Sequence, residues 1–337
     1  MKVTLKEIAK LAGVSEATAS LAINNRPGVS FKTKRRILDI VEETGYMASQ
    51  SARLLSKKQS GIIGLLVPNL NNLFYSRIVQ EIETHLLQLG LHLITATTDN
   101  DPAREREMIR SFVSFGVEGV ILYPLIRDHH NPDYLDILEK NKIPFVFLGG
   151  YYTNYDAPYC MSDLYSGITE LIDLMYNGGC RNIVYFGSCR YIVSNQIKIK
   201  ALEDKLAEKK ILFHPDNDYV YLKKTNYDYA YLEARRMLQN GRSFDGAIAG
   251  DAYSGFGIYQ ALVEHGKSIP QDVAIAHMDN MLKPSICICR MTCIEQNISE
   301  IVDGTLDLLM NLMNGKRKPS LLIKTNLIVR DSTRTVR

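Results

Sequence analysis

The stretch TLKEIAKLAGVSEATASLAINN, residues 4–25, decides the fold at the start of the chain. Apolar residues recur in its first half every three or four positions, which predicts an amphipathic helix over residues 5–12. Thr4 is followed three residues later by Glu7, and this capping-box pattern marks the beginning of a helix. The chain is therefore predicted to open with a helix.

A second short helix follows the first after a tight turn. Gly13 ends the first helix, because glycine adopts the turn conformation at no steric cost. Ser15 then caps a helix that is predicted to run to about Asn24. Two helices joined by a short glycine turn are the signature of the helix-turn-helix motif.

The second helix leaves small and polar side chains uncovered. Ala19, Ala22 and Ile23 can face inward. The positions outside or at the rim are Ser15, Glu16, Ala17, Thr18, Ser20, Leu21 and Asn24. Small hydroxyl and amide groups let a helix approach a surface closely and can donate to phosphate oxygens, so this helix is shaped for a DNA major groove. The alternative is a short surface helix capped by serine, which the surrounding basic residues disfavour.

A third helix is predicted from about Lys32 to Thr44, and Gly45 ends it. Residues 1–46 would then form a small all-α helix-turn-helix head. Residues 47–59 are predicted to be a hinge or linker. This segment has helix-permissive residues but few apolar ones to bury. Because it is also short, it is not expected to hold a helix alone, and it could become helical on binding.

Basic residues are concentrated near the start of the chain. Residues 1–58 hold eleven Lys/Arg and five Asp/Glu, a net charge of +6, whereas the rest carries −3 and the whole chain +3. A compact basic head on a mildly acidic body predicts a polyanionic partner for the head. Charge alone does not separate this prediction from a solvated, charge-mixed helical surface.

Length and composition bound the class of protein. The 337 residues are 46% hydrophobic and 23% charged, which is ordinary for a globular chain of about two domains. No apolar run is long enough for a membrane span, and the first residues lack the apolar region of a secretory signal, so we expect a cytoplasmic protein. Cys287, Cys289 and Cys293 fit no common zinc spacing, so we expect reduced thiols, no metal and no cofactor.

Residues 60–337 alternate apolar strand-like runs with helical stretches. The runs predicted to be buried parallel strands are GIIGLLVPN, HLITATT, GVILYP, IPFVFLGG, NIVYFGS, DGAIAGD and DVAIAHMD. Helical segments such as SRIVQEIETHLLQLG and SGITELIDLMYNG lie between several of them. This alternation predicts an α/β body long enough for two lobes.

A series of motifs extends along almost the whole chain. In order, they include VTLKEIAKLAGVSEATAS, NNRPGVS, IIGLLVPNLNNLFY, TDNDPAREREMI, VEGVIL, IPQDVAIAHMDN and LIVRDST. Together they resemble the LacI/GalR family of bacterial transcription repressors. The resemblance implies a periplasmic-binding-protein-like core of two lobes with parallel sheets, over residues 60–337. The N-lobe would take about residues 60–161 and 292–325, and the C-lobe about 162–291 and 326–337.

The same resemblance implies which residues contact DNA. Glu16, Ala17 and Leu21 match the positions that usually specify bases. The positions assigned to phosphate contacts are Ser15, Thr18, Ser20, Asn24, Ser30, Thr33 and Tyr46, and Thr4 is a further candidate for DNA binding. In the linker, Leu55 matches the leucine that wedges into the minor groove, with Ala52 and Arg53 beside it. Because the chain stops soon after Ser332, without the helix of the family's tetramers, we expect a homodimer on double-stranded operator DNA.

Leu21 departs from the family pattern, because many members have arginine at this position. The contact between an arginine side chain and a guanine base is the commonest specific contact, and leucine cannot make it. Leu21 and Ala17 can instead contact a thymine methyl group, and Glu16 can accept from a cytosine amino group. We therefore predict an operator that differs from the usual family consensus.

Polar and aromatic residues at the ends of the predicted strands indicate a ligand pocket, because ligands of open α/β sheets bind at the carboxyl ends of strands. The candidates are Asn71, Phe74, Tyr123, Gly150, Tyr151, Asp251 and Asp279, and the resemblance adds Asp163 and Ser194. Carboxylates accept from hydroxyl groups and aromatic faces cover C–H surfaces, so this set suits a sugar-like effector. The alternatives are helix capping for the aspartates and simple packing for each tyrosine.

Ser194 stands where sugar-responsive family members usually have an arginine, in a segment of the form R-x-x-G-F. This chain has SNQIKIKAL there, so its pocket should differ in chemistry. An unusual sugar, a phosphorylated ligand and no small ligand at all stay open. Arg190 is a candidate for the missing cation.

Three classes of function compete. The first is a transcription repressor controlled by a small-molecule effector bound between the lobes. A solute-binding protein of a transporter would share the body, but the basic head and the missing signal oppose it. An enzyme is not expected, because the sequence has no glycine-rich phosphate loop, metal motif or nucleophile elbow.

Overall fold

The structure is a computed structural model that describes residues 3–46, 60–127, 132–281 and 289–334. Its contacts divide the chain into two compact units, which meet in sequence at Ser60 and Gly61. Several predicted features lie outside the described residues: the linker with Ala52, Arg53 and Leu55, and Cys287.

The first unit contains three helices: α1 Leu5–Ala12, α2 Glu16–Ile23 and α3 Phe31–Thr44. The predicted capping box is confirmed, because Thr4 Oγ1 accepts from Glu7 N while the Glu7 carboxylate accepts from Thr4 N at 2.7 Å. Gly13 has a left-handed φ of 62°, which allows the tight turn between α1 and α2. The helices share a small core of Ile8, Ala12, Ala22 and Ile37.

The second unit is an α/β structure. Its described strands are β1 Ile62–Val67, β2 His92–Thr97, β3 Gly119–Leu122, β4 Phe145–Leu148, β5 Tyr159–Ser162, β6 Ile183–Gly187, β7 Tyr219–Tyr221, β8 Gly246–Ala249, β9 Ala274–Met278, β10 Thr292–Gln296, β11 Leu321–Ile323 and β12 Thr325–Ile328. Its described α-helices are α4 Leu73–Gln88, α5 Pro102–Phe115, α6 Asp136–Lys140, α7 Leu164–Asn177, α8 Val193–Glu208, α9 Pro215–Asp218, α10 Tyr227–Gln239, α11 Ala252–Glu264 and α12 Ile298–Met313, and a 3-10 turn at Asp133–Leu135 precedes α6.

Two six-stranded sheets organise this unit. The strand order is β11-β5-β4-β3-β1-β2 in the first sheet and β12-β10-β9-β8-β6-β7 in the second. Among the described pairs, β10 with β12 is antiparallel and the other neighbours are parallel. The predicted parallel α/β body is confirmed, and all seven predicted runs form strands. Every residue of β1 is buried, as expected for a strand covered on both faces.

The chain crosses between the two sheets at three places, next to Asp163, Asn297 and Lys324. The predicted start of the returning N-lobe segment at residue 292 is wrong, because β10 belongs to the second sheet. Its residues 292–294 pair with residues 276–278 of β9. The return begins with α12, which packs in the core of the first sheet. The other two predicted boundaries differ from the crossings by one residue.

The described residues contain neither a membrane-spanning helix nor a cluster of metal ligands. None of the helices in that part combines the length and apolar character of a membrane span. Within the same ranges, no cluster of three or more His, Cys, Asp or Glu could hold a metal ion. The cysteines seen there are free thiols, namely Cys160, Cys180, Cys189, Cys289 and Cys293.

Candidate functional site

A polar cavity of about 70 Å³ lies in the second unit, where the carboxyl ends of several strands converge. Tyr123 follows β3, Ser188 follows β6, Asp251 lies two residues after β8, and Asp279 follows β9. Gln296, the last residue of β10, completes this side of the wall. We call this space the deep cavity. Its position is that of ligand sites in open α/β sheets.

A second cavity of about 300 Å³ adjoins the first, and we call it the outer cavity. The two spaces share four lining residues, Tyr123, Ile126, Ile192 and Ser194. The outer cavity has a strongly aromatic wall formed by Tyr123, Tyr151, Tyr152 and Tyr191. The two cavities therefore lie side by side, the smaller one polar and the larger one aromatic-walled.

Most of the predicted effector residues come together here. The deep cavity is lined by Phe74, Tyr123, Ser194, Asp251 and Asp279. The outer cavity is lined by Gly150 and Tyr151. The Tyr151 ring stacks on Tyr159, with the ring centroids 4.2 Å apart.

Two predicted effector residues lie elsewhere, which corrects those assignments. Asn71 is exposed and lines neither cavity, whereas its neighbour Asn72 lines the deep one. Asp163 also lines neither cavity, because it caps α7. Its carboxylate accepts from Ser166 N at 3.1 Å and from Ser166 Oγ at 2.6 Å.

Asp251 caps a helix, as one of the two alternatives given by the sequence stated, and it also lines the deep cavity. Its carboxylate accepts from Ser254 N at 3.0 Å and from Ser254 Oγ at 2.7 Å at the start of α11. The residue is only 5% exposed, and this burial raises the pKa of the carboxyl group.

Asp279 is the least satisfied carboxylate on the wall. It is 6% exposed and has a left-handed φ of 74°, which aspartate tolerates better than most residues. Oδ1 accepts from Gln296 Nε2 at 2.5 Å, and Oδ2 accepts no hydrogen bond from a described residue. Burial, assisted by the nearby Asp251 charge, raises the pKa of Asp279 to about 7.

Lys198 is the cation of the deep cavity, and the sequence analysis missed it. It is 8% exposed, and Nζ donates to Asn195 Oδ1 at 3.4 Å. Burial lowers its pKa, and the Asp279 and Asp251 charges oppose that effect. Lys198 lies four residues after Ser194 on α8, so helical spacing could have identified it. Arg190, the sequence candidate, instead pairs with Asp216 at 2.9 Å and lines neither cavity.

A chain of hydrogen bonds connects the deep cavity to a crossing between the sheets. Gln296 Nε2 donates to Asp279, and Gln296 Oε1 accepts from Ser162 Oγ at 2.7 Å. Ser162 ends β5 in the first sheet, beside the crossing at Asp163. Gln296 ends β10 in the second sheet, beside the crossing at Asn297. A ligand that contacts Asp279 would therefore touch the start of a link between the two sheets.

The aromatic residues of the deep cavity are neutral. The rings of Tyr75 and Tyr123 meet edge to face, with their centroids 5.0 Å apart. Burial raises the pKa of Tyr123 to about 12, and the Asp279 charge adds to this effect. Both phenols therefore stay protonated near neutral pH, and both residues line the cavity.

The head presents a separate candidate surface. Ala19 and Ala22 are buried, whereas none of the residues assigned to DNA contacts within the described head is buried. Ser15 Oγ accepts from Thr18 N at 3.1 Å, and Ser30 Oγ accepts from Thr33 N at 3.3 Å. These caps fix where α2 and α3 begin. The exposed N-terminal ends of helices favour phosphate groups.

Comparisons with known sequence families agree with this division of the chain. Residues 4–49 match the model described as "Bacterial regulatory proteins, lacI family". Residues 172–333 match the model described as "Periplasmic binding protein-like domain". The chain is 22% identical over 326 residues to catabolite control protein A of Priestia megaterium, covering 96% of each chain. It is 25% identical over 322 residues to the ribose operon repressor of Bacillus subtilis (strain 168), covering 94% of this chain and 93% of that protein.

Solved structures share the fold. The Lac repressor dimer bound to operator and the anti-inducer ONPF matches with a TM-score of 0.87 at 21% identity, over 99% of this chain and 100% of that chain. The transcriptional regulator CelR in complex with cellobiose matches with a TM-score of 0.69 at 23% identity, over 98% and 99%. The architecture is thus shared along the whole length of these structures, although the sequences have diverged widely.

Proposed function

We propose that this chain, which belongs to the lacI family of bacterial regulatory proteins, represses transcription by binding operator DNA under the control of a small-molecule effector. One observation carries the proposal. The same chain combines a helix-turn-helix head, whose second helix keeps its polar face accessible, with a core that encloses a charged cavity at its strand ends. The head would bind DNA and the cavity would bind the effector.

The proposed DNA complex is a homodimer on a pseudo-palindromic duplex, with two copies of α2 in major grooves one helical turn apart. Glu16, Ala17 and Leu21 would contact base edges, and the hydroxyl groups of the head would contact phosphates. The linker residues Ala52, Arg53 and Leu55 would reach the minor groove between the half-sites. Because the proposed partner is chromosomal DNA, we propose a cytoplasmic location.

Selection of the full-length protein against random duplexes tests this assignment. We expect an enriched pseudo-palindrome, and we expect Glu16→Ala to lose the preference at one cytosine position per half-site, with a 10-fold or larger loss of affinity for the selected site. Ser30→Ala provides the contrast, because loss of a phosphate contact should weaken all duplexes about equally. Failure to enrich any sequence with the wild-type protein, with and without candidate effectors, would contradict the proposal.

The proposed effector is a sugar or sugar derivative in the deep and outer cavities. Two carboxylates can accept hydrogen bonds from hydroxyl groups, and an amide can both accept and donate them. The tyrosine rings can cover the C–H faces of a pyranose. The ribose operon repressor and the complex of CelR with cellobiose support this class, because their names associate similar chains with sugars.

Gln296 is the proposed link between the effector and the DNA response. It joins Asp279 in the cavity to Ser162 across the crossings, so its replacement should uncouple the two sites. We expect Gln296→Met, compared with the wild type at saturating effector so that any loss of effector affinity is allowed for, to reduce the effector's influence on operator affinity by 5-fold or more. Binding of a sugar found by thermal-shift screening and operator affinity with and without that sugar measure the two effects. Gln260→Met on α11 is the matched control, because the Gln260 side chain donates to Glu264 one turn further along the same helix. An unchanged response in Gln296→Met would refute this role.

A solute-binding protein of a transporter is the alternative function, and the core alone would suit it. The helix-turn-helix head opposes this alternative, because the transport of a solute does not require a helix that binds DNA. Binding of the selected duplex by the purified full-length protein separates the two functions directly.

A further inference from the structure

The sizes of the two cavities restrict how a ligand can be placed. The deep cavity measures about 70 Å³, roughly half the ~150 Å³ of a cavity that holds one benzene ring. A hexose ring does not fit there, although one small substituent does. The outer cavity, at about 300 Å³, has room for a ring against its tyrosines. A ligand that uses both spaces would place its ring outside and a small group inside.

The charges of the deep cavity restrict that small group. Asp251, Asp279 and Lys198 are each more than nine-tenths buried, and when all are ionised they sum to −1. Burying an uncompensated charge is costly, so the cavity favours a group that adds one positive charge. A phosphate or carboxylate would make the excess negative charge larger.

The hydrogen bonds identify the carboxylate that is available to such a group. Both oxygens of Asp251 already accept from Ser254 at the start of α11. Lys198 Nζ donates to Asn195 Oδ1 at 3.4 Å and forms no ion pair with a carboxylate among the described residues. Asp279 also lines the cavity, and its Oδ2, in contrast, accepts from no described residue.

We propose that the effector carries an ammonium group that enters the deep cavity and pairs with Asp279, while its ring lies in the outer cavity. The ligand class is an amino sugar or an amino polyol of similar size. This inference rests on the proposed effector function and narrows it. The ammonium group brings the buried charges to zero, and the aromatic side chains of Tyr75 and Tyr123 on the same wall favour a cation. The raised pKa of Asp279 agrees, because a proton neutralises the same group when no cation is present.

Matched ligands test the proposal on the full-length protein. The probes are D-glucose, D-galactose and D-mannose, each with its 2-amino, 2-acetamido and uronic acid counterpart, measured by calorimetry near pH 7. We expect at least one amine to bind with a Kd at least 10-fold lower than those of its parent hexose and its acetamido form. Acetylation removes the charge and adds bulk that the deep cavity cannot hold.

Two variants locate the effect. Asp279→Asn should reduce the preference for the amine over the parent hexose to less than 2-fold, whereas Lys198→Met should retain it, because that change removes a positive charge from the cavity. If a parent hexose or a uronic acid binds as tightly as the amine, the inference is wrong while the sugar-effector proposal stands. If none of these compounds binds or alters operator affinity, both are contradicted.

Discussion

Asp279→Asn is expected to raise the free energy of unfolding of the empty protein by about 2–4 kcal/mol at pH 8. The carboxyl group is 6% exposed, and burial raises its pKa to about 7 from an unfolded value near ~3.9. Above pH 7 the native protein must hold a buried charge that the unfolded chain holds in water. Asparagine keeps the shape, can still accept from Gln296, and tolerates the left-handed φ of 74°.

The sign of the pH dependence follows from the direction of this shift. Between about pH 4 and pH 7, native Asp279 keeps a proton that the unfolded chain has lost, so its contribution to stability falls as the pH rises. The advantage of Asp279→Asn should therefore be near zero at pH 4, grow through this window and level off above pH 7. Asp251, Lys198, Tyr75 and Tyr123 face the same cavity and remain in both proteins.

Urea unfolding followed by circular dichroism at several pH values measures this difference, and it suits a chain that contains no tryptophan. Asp204→Asn serves as the matched control. That carboxylate is exposed on α8 and pairs with Lys200, and its pKa is lowered by this pairing, so its replacement should not stabilise the protein at pH 8. A variant at Asp279 that is no more stable than the wild type at pH 8 would show that the cavity does not penalise the charge.

Gly257→Ala is expected to destabilise the core by about 3 kcal/mol. Gly257 lies on α11 where that helix packs against α10. An added Cβ atom would fall on the carbonyl oxygen of Tyr227 and 2.9 Å from Tyr231 N. Both neighbours are backbone atoms, so no side-chain rotation relieves the clash and the two helices must separate. In an isolated helix the same change would be stabilising by about 1 kcal/mol, so the sign of the effect is itself informative.

Gly255→Ala on the same helix provides the comparison. Its added Cβ atom would lie 3.0 Å from the Cβ atom of His277, a side-chain neighbour, and we expect a smaller loss than at Gly257. Thermal and urea unfolding of the two variants give the ranking. Equal stability of Gly257→Ala and the wild type would show that the two helices do not pack this closely.

The two predictions have opposite signs for a physical reason. Gly257 serves only the packing of the core, so any added atom costs stability. Asp279 lies in a cavity where a buried charge is costly, as is common for residues of functional sites, and this agrees with its proposed role in binding the effector.

The head and the alternation of the body were predictable because they depend on local signals. A capping box, a glycine in a left-handed turn and a run of apolar residues each act within a few positions of the chain. The motifs also occur in the order found in a repressor family, which indicated the class of protein. The rule that ligands bind at the carboxyl ends of strands predicted that Asp251 and Asp279 lie at the pocket.

The membership of β10 in the second sheet and the identity of the buried cation were decided by the tertiary structure. Strand pairing joins residues that are distant in sequence, so no local pattern shows that β10 lies beside β9. Ser194 and Arg190 lie close to Lys198 in sequence, but only the packing of α8 turns Lys198 into the cavity and leaves Arg190 with Asp216. Local sequence patterns therefore predicted most of the helices and strands, and they led to a proposal for the class of partner. The charge balance of the pocket depends on which side chains the fold removes from water, and that is a property of the assembled core.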